Sequence, residues 1–238
     1  MAKASSLRSL NIITGGTTGL GYQTALTLAR QNPRNLIVIA SRTDKTSSAQ
    51  AINGTLRQRN VAFLPLDLSS TTSIRTFAAS WSSHTPSYPP IRSLLLNAAL
   101  QFPTGLHTTP AGIESTFAIT HLGHALLFYL LLPHFASTAR VVITSSGTHD
   151  PAQKTGVPDA VFTTAEELAR PTAATQGNAG RQRYSSAKLA NVLWTYALNR
   201  RLEDLAARSG GKHITINAFD PGLMPGTGLA RELSLIHI

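Results

Sequence analysis

The stretch "LNIITGGTTGLG", residues 10–21, decides the fold. Its first residues form a short, almost continuously apolar run that reads as a buried strand. Glycines end that run at once: Gly15, Gly19 and Gly21 permit a tight turn and a close approach of backbone. The pattern that follows, "YQTALTLAR", is helical. Strand, glycine turn and helix together make a cradle for a dinucleotide, because the first N–H groups of a helix are free to face a pyrophosphate. Thr17, Thr18 and Leu20 belong to the same cradle. The spacing is GxxxGxG rather than GxGxxG, and no Gly-Lys-Ser/Thr follows, which disfavours a nucleoside-triphosphate loop. A glycine-rich turn alone would serve packing equally well. Its place after the first strand of an alternating series gives it a ligand.

That series runs outward from the turn. Apolar runs at 10–14, 35–40, 61–66, 91–97, 140–145 and 213–219 predict six strands, separated by helical stretches near 19–31, 46–59, 71–83, 111–135 and 184–209. Strands this short and this uniformly apolar suit a parallel sheet covered on both faces. Alternation at this spacing predicts a doubly wound α/β fold. No shift of composition marks a second domain, so residues 1–238 are expected to form one. The long irregular stretch is 147–183, within which Thr164 and Glu167 form a capping-box signature and Pro171 stops a short helix. An insertion of that length is expected to serve as a lid or substrate loop.

The chain has 238 residues, 42% hydrophobic and 13% charged, enough for an ordinary core. It has no cysteine, which excludes disulfides and thiolate metal sites. No apolar run precedes the first strand, so no secretory signal is expected. The run "ALLFYLLLPHF" is too short and too proline-broken for a membrane span. The net charge of +10 is spread without aromatic interleaving, which favours an anionic small ligand over nucleic acid. A cytoplasmic protein with a small-molecule partner is expected, with self-association left open.

Further motifs sit at the strand ends, where open α/β sheets bind ligands. After the second strand stand Ser41 and Arg42, with Asp44 two residues late; an arginine there suits a 2′-phosphate, whereas a carboxylate would suit NAD. NADP(H) is therefore the expected cofactor. Asp67 and Leu68 close the third strand, where Asp67 could contact adenine or cap the next helix. Asn97-Ala98-Ala99 closes the fourth: small residues admit a cofactor, and the amide either ties strands together or acts directly. Ser145 and Ser146 close the fifth without a GxSxG elbow, which disfavours a hydrolase nucleophile. Tyr184 and Lys188 follow, four residues apart on one helix face. A phenol normally titrates near 10, too high for proton exchange at neutral pH. A neighbouring ammonium would lower it, and the Ser146 hydroxyl could hold a carbonyl oxygen where charge develops. Those groups suit carbonyl/alcohol interconversion beside a nicotinamide.

In chain order, TGGxxGxG, NAA, the serine strand, YxxxK and "DPG" (220–222) resemble the short-chain dehydrogenase/reductase family over residues 10 to about 232. "THLGHALL", "YSSAKLAN" and "DPGLMPGTGLARE" look most like its branch of retinol dehydrogenases and light-dependent protochlorophyllide reductases. The resemblance implies a Rossmann-type sheet and a Ser146–Tyr184–Lys188 site. Ser146 would polarise the carbonyl and Tyr184 would donate the proton. Lys188 would hold the nicotinamide ribose and lower the tyrosine pKa, with Pro221, Gly222 and Thr227 beside the nicotinamide. It also implies that His121 and His124 serve helix packing rather than a metal. Thr120 stands where the family has an asparagine, and Gly226 where many members have threonine. The family continues past "LARE" through a helix to a seventh strand, whereas this sequence ends at Ile238. A shortened, weakly stable form with strand 213–219 at an open edge is the resulting expectation. The reading is an NADP(H)-dependent carbonyl/alcohol oxidoreductase. Its alternatives are carbon–carbon double-bond reduction and NADP(H) binding without turnover.

Overall fold

All six apolar runs pair side by side as parallel strands. β1 (Ser9–Thr14), β2 (Asn35–Ser41), β3 (Val61–Pro65), β4 (Ile91–Leu96), β5 (Phe135–Thr144) and β6 (His213–Phe219) lie in the order β3-β2-β1-β4-β5-β6. The computed structural model describes residues 7–83, 88–209 and 211–224. Thr227, Gly226 and the expected missing strand after them lie outside these residues.

Alternation of side chains across the strands splits the core in two. Leu10, Ile12, Leu36, Val38 and Leu94 face α3 (Thr71–Ser83), α5 (Gly123–Leu131) and α7 (Gly180–Ser209). Ile13, Ile37 and Ile39 face the other way, against α1 (Gly19–Gln31) and α2 (Ser48–Leu56). A sheet apolar on both faces requires helices on both, and the doubly wound architecture follows.

Three elements differ from the sequence reading. β5 starts at Phe135 rather than 140: Phe135 pairs with Ile91, the register then jumps, and Arg140 pairs with Ser93. The mixed segment "ASTA" hides this bulged beginning from any apolar count. The helix expected over 111–135 is α4 (Ser115–Phe117), a π-helical segment Ala118–Leu122, and α5. α7 starts four residues earlier than expected, at Gly180, where an added Cβ would overlap the Phe102 carbonyl. Tyr184 thus sits one turn inside the helix rather than at its mouth.

The 20-residue stretch Ser115–His134 is also long and apolar enough for a membrane crossing, with mean hydropathy 1.5 over an 18-residue window. More than half of that window, 56%, is buried inside the protein. Leu127, Phe128 and Leu131 pack into the core beneath the sheet, which accounts for its composition.

Candidate active site

β1 and β4 are neighbours in space although far apart in sequence, so the strand order reverses between them. In open α/β sheets that reversal opens a crevice at the carboxyl edge. Thr14, Gly15 and Asn97 line it. Gly15 and Gly19 take positive φ, +66° and +53°. A Cβ on Gly15 would lie 3.1 Å from both the Ala98 backbone and the Asn97 amide, and one on Gly21 would overlap the Gly15 carbonyl. The turn is closed tightly enough that only glycine fits. Thr18 caps α1 without a side-chain hydrogen bond, and no acidic residue occupies the first turn. The leading N–H groups of α1 are thus left for an anion, and the cradle fits a dinucleotide.

Asn97 ties the strand ends together. Its Nδ2 donates to the Thr14 carbonyl (3.0 Å) and its Oδ1 accepts from Thr144 Oγ1 (3.4 Å), so the amide clamps the ends of β1, β4 and β5. Behind it lies a network that sequence reading missed. Thr14 Oγ1 accepts the backbone N–H groups of Asn97 and Ala98 (2.9 and 3.0 Å) and lies 2.9 Å from His124 Nε2. His124 Nδ1 lies 3.2 Å from the Thr120 carbonyl, which can only accept. The imidazole proton therefore sits on Nδ1, and Thr14 donates to Nε2. Burial lowers the His124 pKa to about 3, so the ring stays neutral in this role. Asn191 completes it, donating Nδ2 to the same Thr120 carbonyl and holding His121 Nδ1 at 2.9 Å. The "HLGH" motif is thus helix packing: Gly123 itself lies against the Leu68 carbonyl.

At the nucleotide end, Arg42 is exposed directly after β2. Thr17 Oγ1 donates to Ser41 Oγ at 3.2 Å beside it. Asp44 is occupied elsewhere, its carboxylate accepting the Ser48 and Ala49 N–H groups (2.7 and 3.3 Å) at the start of α2. Asp67 likewise turns back on its own loop, where Oδ1 accepts from the Ser69 backbone and hydroxyl (2.9 and 2.6 Å). Leu68 has its side chain buried in the core, which leaves its backbone for any ligand.

The chemistry-bearing cluster lies at the ends of β5 and β6. Successive serines point oppositely along a strand. Ser145 Oγ donates to the Lys188 carbonyl on α7 (3.2 Å), while the Ser146 side chain is hydrogen-bonded to the Tyr184 phenol. Lys188, 2% exposed, donates Nζ to the Thr144 carbonyl (2.7 Å) and lies 5.4 Å from the centroid of the Tyr184 ring. One expectation is reversed. The phenol is pushed up to about 12 by burial, against which Ser146 pulls down and Asp220 adds a further rise. Burial also brings the Lys188 amine down to about 7, so its ammonium is only partly populated at neutral pH.

This shift has a measurable consequence. The unfolded lysine titrates at 10.5 and the folded one at about 7, so between those values the unfolded chain binds more protons. Stability contributed by Lys188 therefore rises with pH across that window. The melting temperature of Lys188→Met relative to the parent is expected to be most favourable near pH 6 and to decline toward pH 9. An offset constant in pH would refute this.

One feature beside the cluster was also not read from the sequence. Arg183, next to Tyr184, pairs with Glu114 (Nε–Oε1 3.6 Å), and the two side chains are 8% and 2% exposed. Its guanidinium also donates to the carbonyls of Gly105 and Asn178. The capping box at 164, which opens α6 (Ala165–Ala169), is half formed: Thr164 Oγ1 accepts the Glu167 N–H (3.1 Å), but the Glu167 carboxylate turns to Thr172 and Thr175. Beyond Ser146, a cleft of about 340 Å³ is lined by Thr148, Asp150, Lys154 and Asp159.

Comparison with known proteins agrees with this fold. Residues 10–157 match the model of the short chain dehydrogenase family. The chain is 33% identical over 233 residues to the short-chain dehydrogenase TIC 32 A, chloroplastic, of Brassica napus, covering 94% of this chain and 66% of that protein. It is 34% identical over 223 residues to human polyprenol dehydrogenase, covering 90% and 60%. It thus spans roughly two thirds or less of these relatives. A solved protein of Mycobacterium paratuberculosis superposes with a TM-score of 0.70 at 31% identity, covering 92% of this chain and 71% of that one. Solved chains of this fold hold NAD in one case and NADP in another. With the family model spanning most of the sheet and the strand ends carrying the family's motifs in order, the chain belongs to the short-chain dehydrogenases.

Proposed function

We propose that the chain is an NADP(H)-dependent oxidoreductase that interconverts a carbonyl and an alcohol. The observation that carries the reading is the Ser146–Tyr184–Lys188 cluster, with Tyr184 and Lys188 buried, at the same sheet edge as the glycine cradle. When bound, the reduced nicotinamide supplies a hydride. Ser146 then holds the substrate oxygen, and Tyr184, with its pKa raised and its proton retained, delivers that proton to it. Lys188 anchors the ribose from its seat on the Thr144 carbonyl. Pro221, Gly222, Ala98 and Ala99 offer small or turn-forming backbone beside the ring. The stretch 147–179 chooses the substrate, with the cleft after Ser146 as its floor.

Support for NADP(H) over NAD(H) comes from Arg42 with the Ser41 and Thr17 hydroxyls, and from the engagement of Asp44 at α2. Losing one charged hydrogen bond costs roughly 1.5–3 kcal/mol. Arg42→Ala is therefore expected to weaken NADPH about tenfold or more and to leave NADH nearly unchanged. Fluorescence titration with both cofactors checks it, and equal affinity of the parent for the two would sink the preference. A cytoplasmic location gains no support from the relatives, one of which is named as chloroplastic.

A further inference from the structure

Lys188 is an amine buried to 2% exposure, and the ion pairs among the described residues, Arg170–Glu166 and Arg183–Glu114, do not include it. Its direct polar contact is a neutral carbonyl, that of Thr144. A buried ammonium with only a carbonyl for company is costly, so the origin of its counter-charge is a structural question.

The register of the sheet supplies a candidate. Thr144 pairs with Phe219, and the Ser145 N–H donates to the Phe219 carbonyl at 2.8 Å. The next residue of that chain, Asp220, is thereby held level with Ser146 and Gly147. A Cβ on Gly147 would lie 2.9 Å from Asp220 Oδ2, so the carboxylate rests directly over that glycine. Asp220 Oδ1 accepts the Gly222 N–H (3.0 Å) across a turn in which Gly222 has φ +73°, and this fixes the side chain. Oδ2 has no hydrogen-bond partner among the described residues.

We propose that Asp220 is a positioning residue of this site: its carboxylate, seated over Gly147 beside the Thr144 carbonyl that holds Lys188, is the counter-charge of the buried amine, and so sets the pH at which the site loses its positive charge. The titratable groups facing Lys188 are few. Tyr184 shares its helix, and His124 and His121 approach from the 118–124 segment with lowered pKa values that leave them neutral. Among the described residues Asp220 is the remaining charge acting on Lys188, and its carboxylate works against the burial that lowers the amine. The consequence for catalysis rests on the carbonyl/alcohol reading. The charge assignment does not.

The test is Asp220→Asn, an exposed and nearly isosteric change whose amide oxygen still accepts the Gly222 N–H. The chain has five lysines, so ¹³Cε titration by NMR resolves Lys188, with Lys188→Met assigning its signal. The Lys188 midpoint is expected to fall by about half a pH unit or more. The alkaline limb of carbonyl reduction should fall with it, and alcohol oxidation should gain at neutral pH. An unmoved midpoint overturns the proposal, as does a uniform loss of rate with unmoved limbs. If the parent turns nothing over and the midpoint still falls, the counter-charge assignment holds and the carbonyl reading is what fails.

Discussion

Tyr184→Phe is expected to lower turnover by roughly 10²–10⁴-fold, the range for removal of a positioned proton donor, with NADPH binding little changed. The ring stays: Phe keeps the aromatic face that lies 5.4 Å from Lys188 Nζ, and at 6% exposure the site is packed well enough to hold it. What goes is the hydroxyl bonded to Ser146. Nothing nearby can replace it, because His124 is neutral and committed to Thr14 and Thr120. NADPH oxidation against a panel of aldehydes, ketones and quinones reads the first half, and cofactor fluorescence reads the second. Near-parent turnover in the variant would remove Tyr184 from its role.

Arg183→Met should be the most destabilising single change near the site. The Glu114–Arg183 pair is buried on both sides, and Glu114 also caps α4 by accepting the Thr116 and Phe117 N–H groups (3.1 and 2.6 Å). Removing one member of a buried pair leaves the other uncompensated, at about 3–5 kcal/mol. For a chain of this size the melting temperature should drop by on the order of 10 °C. Arg183 also holds the carbonyls of Gly105 and Asn178, so the loops on both sides of α7 loosen with it. The double variant with Glu114→Gln should recover part of the loss, since the unpaired carboxylate is then neutral. Thermal and urea unfolding of the three variants measure this. A loss below about 1 kcal/mol for Arg183→Met would mark the pair as no stronger than a surface one.

The sequence by itself determined the six strands, the covering helices, the glycine cradle and the i,i+4 pairing of Tyr184 with Lys188. Each of these is local: period 2 or 3.6 records which face is buried, and glycine records where backbone must turn or touch. It also placed Arg42 at the second strand end. Tertiary structure decided what depends on distant segments meeting. The bulged start of β5 at Phe135 is set by its register against β4, not by its own residues. The early start of α7 depends on Gly180 lying against Phe102. Which N–H or hydroxyl the side chains of Asp44, Asp67 and Asn97 reach was likewise decided by the fold. The protonation of the site moved furthest from expectation. Composition shows a lysine four residues from a tyrosine, but their pKa values follow from how completely α7 is buried against β5 and from a carboxylate 32 residues further along the chain at Asp220. Desolvation is a property of the assembled core, and no stretch of sequence contains it.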